Sequence, residues 1–187
     1  MNKKDQEINA ETQVQSWIDR CVVGLNLCPF ARIPFEQGRV RVQACFERSL
    51  IESSFFFKNE LECLISADSQ KIETSLLLFC PDTFEHFETF LDFVDEMVSI
   101  VETNDLQDDV QLVVFHPAYQ FEGEAENGRS NYTNRSPYPL IHMIRQDSMA
   151  RAISAYGEKK TDQIPQANIR LLESLSPEEF GKLFLTD

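Results

Sequence analysis

The sequence lacks several features that would each identify a class of protein. No apolar run approaches the roughly 18 residues that a membrane-spanning helix needs, and the polar start MNKKDQEINAETQ contains no apolar segment of a secretory signal. The five cysteines form no CxxC pair and no Cys/His pair at zinc-finger spacing. We therefore expect a cytoplasmic protein without disulfides, metal site or resident cofactor.

Basic residues are also scarce. The 187 residues include 17 Lys and Arg against 31 Asp and Glu, which gives a formal net charge of −14. Such a surface does not suit nucleic acid or an anionic membrane, although a local cationic pocket remains compatible with it. Hydrophobic residues at 42% are ordinary for a globular protein. The length predicts a single domain over residues 1–187, with residues 1–9 frayed.

Hydrophobic spacing predicts helices that alternate with strands. The predicted helices are 14–25, 49–65, 84–101, 137–155 and 165–175, and the predicted strands are 39–46, 74–80 and 110–115. This order indicates an α/β fold: a small, mostly parallel sheet of three or four strands with βαβ crossovers, flanked by helices. The alternating strand 39–46 belongs at an edge, and the continuously apolar strand 74–80 belongs in the centre.

A long irregular stretch follows the third strand, and such stretches are usually functional or disordered. His116 stands directly after this strand, at the carboxyl edge of the sheet where open α/β folds bind ligands. Four residues of the stretch are candidate ligand contacts: Tyr119, Gln120, Asn131 and Asn134. The two asparagines are equally typical of plain turn chemistry.

The far end of the stretch predicts an anion site. Ser136 is a natural N-cap and Pro137 suits the first helical position, so a helix is expected to begin at about residue 137. Arg135 lies immediately before this helix start, where the helix dipole already favours negative charge. His142 and Arg145 would lie on one face of the same helix. Alternatively, Ser136 only caps the helix and both arginines only pair with some of the 31 acids.

Cys28 is the thiol with a distinctive setting, because Pro29 ends the first predicted helix beside it. A helix C-terminus disfavours a thiolate, so a catalytic Cys28 would need a neighbouring His or Arg. The alternative is a small buried core residue. His116 and His142 are candidate general acids or bases, and their alternative is a hydrogen-bonded structural role.

Three segments carry a resemblance to a known family. NLCPFA (26–31), FHPAYQFEG (115–123) and NYTNRSPYPLIHMIR (131–145) resemble the signatures of a bacterial family, domain-of-unknown-function family 1415. The resemblance extends over about residues 14–175 and implies a shared site rather than a known reaction. No kinase, dinucleotide-binding or hydrolase signature accompanies it.

These patterns predict an enzyme acting on a small anionic metabolite. Arg135 would hold the anion, His116 or His142 would act as general acid or base, and Cys28 would be the nucleophile. We expect these four residues to line one pocket. Two alternatives stay open: a non-catalytic sensor or carrier of the same anion, and an interaction protein or homodimer that uses the Phe-rich face of helix 84–101.

Overall fold

The computed structural model describes residues 2–184 as an α/β fold. The strands are β1 Val40–Cys45, β2 Thr74–Phe79, β3 Val110–Phe115 and β4 Leu140–Arg145. The α-helices are α1 Lys3–Trp17, α2 Arg32–Glu36, α3 Leu50–Ser66, α4 Phe87–Thr103, α5 Gln146–Tyr156, α6 Glu158–Thr161, α7 Ile164–Ser174 and α8 Pro177–Phe184. A π-helical turn, Ile18–Val23, continues α1, and a 3-10 helix spans Arg129–Thr133. None of the helices described within residues 2–184 is long and apolar enough to cross a bilayer.

The sheet has four strands in the order β1-β2-β4-β3. The edge position of β1 and the interior position of β2 are confirmed. β1, β2 and β3 run in the same direction, as crossovers through α3 and α4 require. The expectation of a mostly parallel sheet is wrong, because β4 inserts antiparallel between β2 and β3, so that β1–β2 is the one parallel pair described within residues 2–184.

The helix predicted to begin at residue 137 is also wrong. Residues 140–145 are strand β4, and α5 begins only at Gln146. The apolar residues of LIHMIR fit a helix face, but they fit equally a strand that is covered on both faces. Leu140 and Ile141 point to opposite sides of the sheet, and both are fully buried. Ser136 therefore caps no helix, and its hydroxyl donates to the carbonyl of Tyr138 instead.

Residues 3–9, which were expected to be frayed, lie in helix α1. Residue 1 lies outside the described range, and α1 begins at Lys3 with Asn2 as its N-cap, whose side chain accepts from the Asp5 N–H at 2.9 Å. The helix is held against the edge strand: Glu7 accepts from the Phe46 N–H and Glu11 from the Ala44 N–H, each at 2.9 Å. These carboxylates occupy donors that an open sheet edge would otherwise offer to another chain.

Two hydrophobic clusters lie on opposite faces of the sheet. α3 and α4 cover one face, where the ring of Phe79 packs against the rings of Phe84, Phe90 and Phe93. α1 and the π-helical turn that continues it cover the other face through residues that include Val14, Trp17 and Ile18. Most of the Phe-rich stripe around α4 is thus core, although Phe55 on α3 remains 59% exposed.

Candidate functional site

A cavity of about 620 Å³ lies between the sheet, the segment 28–34 and α5. Its floor takes side chains from all four strands, among them Val40, Leu76, Val113, Phe115 and Ile144. Trp17 and two residues of the π-helical turn, Ile18 and Val22, form a side wall. The volume falls within the roughly 300–1,000 Å³ of pockets that hold small molecules.

One face of α5 forms the outer wall of the cavity. The residues of this face follow helical spacing: Ser148, Met149, Ala152, Ala155 and Tyr156. None of the α5 side chains is fully buried, so this helix covers the cavity without contributing to the core. Phe30 on the opposite wall meets Tyr156 edge to face, with ring centroids 5.5 Å apart.

The position of this cavity differs from the expected one. It reaches Val40 and Thr74, the first residues of β1 and β2, whereas ligand sites were expected beyond the carboxyl ends of the strands. The carboxyl end of β3 is covered by the loop that follows it. There the His116 N–H donates to the Asn134 carbonyl, and the Asn134 side chain donates to the carbonyl of Val114.

His142 is the most distinctive polar group in the cavity wall. Its Nε2 lies 2.6 Å from Thr74 Oγ1, and this hydroxyl donates at 2.6 Å to the Met143 carbonyl. Because the hydroxyl has one hydrogen and the carbonyl only accepts, Nε2 carries the imidazole proton and donates to Thr74. Burial lowers the pKa of His142 to about 4, so the ring is neutral at neutral pH.

Cys28 lies in the same cavity wall, in a setting different from the predicted helix end. The π-helical turn ends at Val23, and Cys28 begins the next turn, in which the Ala31 N–H donates to the Cys28 carbonyl at 3.1 Å. Burial raises the pKa of the Cys28 thiol, and the nearby backbone N–H groups of Phe30 and Ala31 oppose that effect only partly. The thiol therefore stays protonated at neutral pH.

The two arginines of the cavity wall already have partners. Arg39 forms an ion pair with Glu73 and donates to the Gln37 side chain at 2.9 Å. Arg145 donates to the carbonyls of Leu64, Ala67 and Ile72 and so closes the C-terminal end of α3. This arrangement is typical of helix capping by a basic side chain.

His116 lies outside this cavity wall and is 1% exposed. Its Nε2–H donates to the Phe84 carbonyl at 2.8 Å, and its Nδ1 accepts from the Ala118 N–H at 3.0 Å. Burial lowers the pKa of His116, while the bond to Phe84 acts in the opposite direction. Nε2 thus ties the end of β3 to the segment before α4, and Nδ1 fixes the turn that follows β3.

Arg135 also lies outside the cavity wall. Its guanidinium donates to the carbonyls of Tyr119 at 3.0 Å and Glu126 at 2.7 Å, and it stacks on the Tyr132 ring. No carboxylate partner is described for it within residues 2–184. Arg135 therefore ties together two distant parts of the long loop.

Neighbouring motif residues hold the same loop. The buried Asn131 side chain accepts from the Phe121 N–H and donates to the carbonyls of Ala125 and Glu126. The Gln120 side chain donates to the Glu124 carbonyl at 2.6 Å. Tyr119 packs its ring against Phe87 and Phe121, and burial raises the pKa of its hydroxyl.

The structure brings together two of the four residues that were expected in one pocket. Cys28 and His142 line the cavity, and His116 and Arg135 belong to the loop and strand end beside it. Thr74, Trp17 and the α5 face were not predicted to belong to the site. The signal for α5 was present, because Met149, Ala152 and Tyr156 recur at helical spacing. Within residues 2–184 no group of three His, Cys, Asp or Glu residues is placed to hold a metal ion.

Comparison with known proteins gives a family and nothing further. Neither the curated proteins nor the solved structures contain a match to this chain. A family model, described as a protein of unknown function (DUF1415), matches residues 9–182. The resemblance carried by NLCPFA, FHPAYQFEG and NYTNRSPYP is thereby confirmed. The chain belongs to the DUF1415 family.

Proposed function

We propose that this protein binds a small, largely apolar molecule in the cavity between the sheet and α5. The observation that carries the proposal is the cavity of about 620 Å³ itself, whose walls are mainly aliphatic and aromatic side chains. Binding is favoured because it removes these apolar walls and the apolar surface of the ligand from water. A few polar groups then set the orientation of the ligand.

The charges around the cavity favour an uncharged ligand over the small anion expected from the sequence. An anion needs a cation that has not already been neutralised. Arg39 is paired with Glu73, and Arg145 is engaged with the carbonyls at the end of α3. His142 is neutral, so it adds no positive charge.

The two reactive side chains favour binding without catalysis. A nucleophilic cysteine needs a lowered pKa, whereas burial raises the pKa of Cys28. A general acid or base is most effective with a pKa near the working pH, whereas the pKa of His142 is about 4. A carrier or sensor of an apolar molecule therefore fits this site better than a hydrolase or transferase.

The sole tryptophan provides a direct test, because Trp17 lines the cavity. N-phenyl-1-naphthylamine, an uncharged apolar fluorophore that accepts energy from tryptophan, serves as the probe. We expect saturable binding of one probe per chain, with a rise in probe emission and a matching fall in Trp17 emission. Absence of saturable binding would overturn the proposal.

Two substitutions on α5 locate the bound probe. Ala152→Phe places a ring inside the cavity, and we expect it to weaken probe binding by about tenfold or more, because overpacking excludes the ligand. Ala150→Phe is the matched control, since Ala150 is exposed on the same helix and lies outside the cavity wall. Equal probe affinities for the two folded variants would place the probe elsewhere and contradict the proposal.

A further inference from the structure

His142 has one ring nitrogen that the fold leaves without a partner. Nε2 is committed to Thr74, and the hydroxyl of Thr74 is committed to the Met143 carbonyl. No protein partner is described for Nδ1 anywhere in residues 2–184, and Nδ1 is not among the unpartnered atoms that are sealed from solvent. Since the ring lines the cavity, Nδ1 presents an accessible lone pair at the cavity wall.

We propose that the ligand of this cavity carries a hydrogen-bond donor, a hydroxyl or an N–H group, and that His142 Nδ1 accepts it. This inference rests on the proposed function and names the chemical class of the polar end of the ligand. His142 is then the specificity-determining residue of the site, while the apolar walls hold the rest of the molecule.

The surroundings of His142 make this acceptor a fixed one. The ring sits on β4, an interior strand, with Thr74 on one neighbouring strand and the ring of Phe115 on the other, at a centroid distance of 6.5 Å. With the Thr74 hydroxyl donating to the Met143 carbonyl, Nε2 carries the proton; a switch of tautomer would turn this hydroxyl onto Nε2 and give up its bond to Met143. Burial also holds the imidazole neutral, which keeps the lone pair available.

Because His142 Nδ1 only accepts, the site distinguishes ligands that carry a hydrogen-bond donor from ligands that carry none. A molecule with a hydroxyl or N–H group pairs with Nδ1 and leaves no buried polar group unsatisfied. An ether of the same shape directs an oxygen lone pair at another lone pair and gains nothing. The site therefore discriminates between two molecules that have nearly the same apolar surface.

The test uses two such molecules, 2-naphthol and 2-methoxynaphthalene, each displacing N-phenyl-1-naphthylamine. The measured quantity is the ratio of their Kd values in the wild type divided by the same ratio in His142→Phe, so that differences in their hydration cancel. We expect a preference for the naphthol that falls by about tenfold in His142→Phe, the size of one hydrogen bond. His86→Phe is the matched control, because His86 is exposed and lies outside the cavity wall, and it should leave the ratio unchanged.

A second measurement needs no variant. In ¹⁵N NMR of the wild-type histidines, 2-naphthol should move the Nδ1 resonance of His142, and 2-methoxynaphthalene should leave it in place. Both naphthalenes displacing the probe with the same ratio in wild type and His142→Phe would overturn the donor inference and leave the apolar site standing. Failure of the probe itself to bind would overturn the proposed function instead, so the two failures are distinguishable.

Discussion

His142 and Thr74 lie on neighbouring antiparallel strands with their side chains 2.6 Å apart, and because the Thr74 hydroxyl donates to the Met143 carbonyl, the imidazole proton is on Nε2. The register places Thr74 opposite Ile144, two residues along β4 from His142. This spacing puts both side chains on the same face of the sheet, because side chains alternate along a strand. A threonine at the start of β2 thus sets the chemistry of a histidine in β4.

We predict that His142 stays neutral well below the usual pH range of histidine. Its pKa is 6.5 in the unfolded chain and about 4 in the folded one. Between these pH values the imidazole is protonated in the unfolded state and neutral in the folded state. This group therefore removes stability as the pH falls from 6.5 towards 4, by about 3 kcal/mol in total. The charged residues of the same cavity wall, Arg39, Glu73 and Arg145, are each paired or hydrogen-bonded.

The measurement compares the free energy of unfolding of the wild type and His142→Phe at pH 7 and at pH 4. The wild type should lose about 3 kcal/mol more than the variant over this interval. ¹⁵N NMR should show Nε2 protonated and Nδ1 unprotonated at pH 6. If the free energy of unfolding changed equally with pH in the two proteins, the pKa of His142 would not be lowered by folding, and the prediction would be wrong.

Cys28 should react slowly with alkylating reagents at neutral pH, because burial raises its thiol pKa. A bound apolar molecule should slow it further, since Cys28 lines the cavity. The measurement is the rate of N-ethylmaleimide modification at each cysteine, followed by mass spectrometry with and without N-phenyl-1-naphthylamine. Cys63, half-buried on α3 and outside the cavity wall, is the internal control. A fast Cys28 that the probe does not protect would contradict both the thiol pKa and the placement of the ligand.

Gly157 ends α5 in a conformation that only glycine adopts readily, with φ 100° and ψ 124°. Gly157→Ala should lower the free energy of unfolding by about 1–3 kcal/mol, because it forces an alanine into a strained backbone region. Gly181→Ala is the matched control: neither glycine has an atom within 4 Å of an added Cβ, but Gly181 lies within helix α8. The free energy of unfolding of Gly181→Ala should rise by roughly 0.5–1 kcal/mol, because alanine is favoured over glycine inside a helix. If chemical denaturation gave the same change in the free energy of unfolding for Gly157→Ala and Gly181→Ala, backbone strain at Gly157 would be excluded as the cause.

Local patterns predicted the first three strands because each has a burial pattern of its own. The alternation of Val40, Val42 and Ala44 predicted an edge strand, and the apolar run within 74–80 predicted an interior one. β4 could not be assigned in this way. Its apolar residues fit a helix and a doubly covered strand equally. The segment becomes a strand because it pairs with β2 on one side and β3 on the other, which local sequence does not reveal.

The candidate site was predicted in part for a related reason. Cys28 and His142 stood out by residue type, and the structure places both in the cavity wall. Thr74 carried no such mark, since a threonine at a strand start is common, and the helical spacing of the α5 residues indicates a packed helix face without pointing to a cavity. Asn131 and Arg135 matched a ligand site in type, but the same groups serve equally to satisfy the carbonyls of a long loop.

The two hydrogen bonds of Arg135 and its stacking on Tyr132 belong to the long loop and not to the cavity. Arg135→Ala should lower the free energy of unfolding by about 1–3 kcal/mol, because charged donors to two carbonyls are lost. It should leave the Kd of N-phenyl-1-naphthylamine unchanged. Arg135→Lys is the control, because it keeps the charge but loses the planar fork, so it should restore stability only in part. If Arg135→Ala kept its stability but bound the probe more weakly, Arg135 would belong to the ligand site, as the sequence predicted.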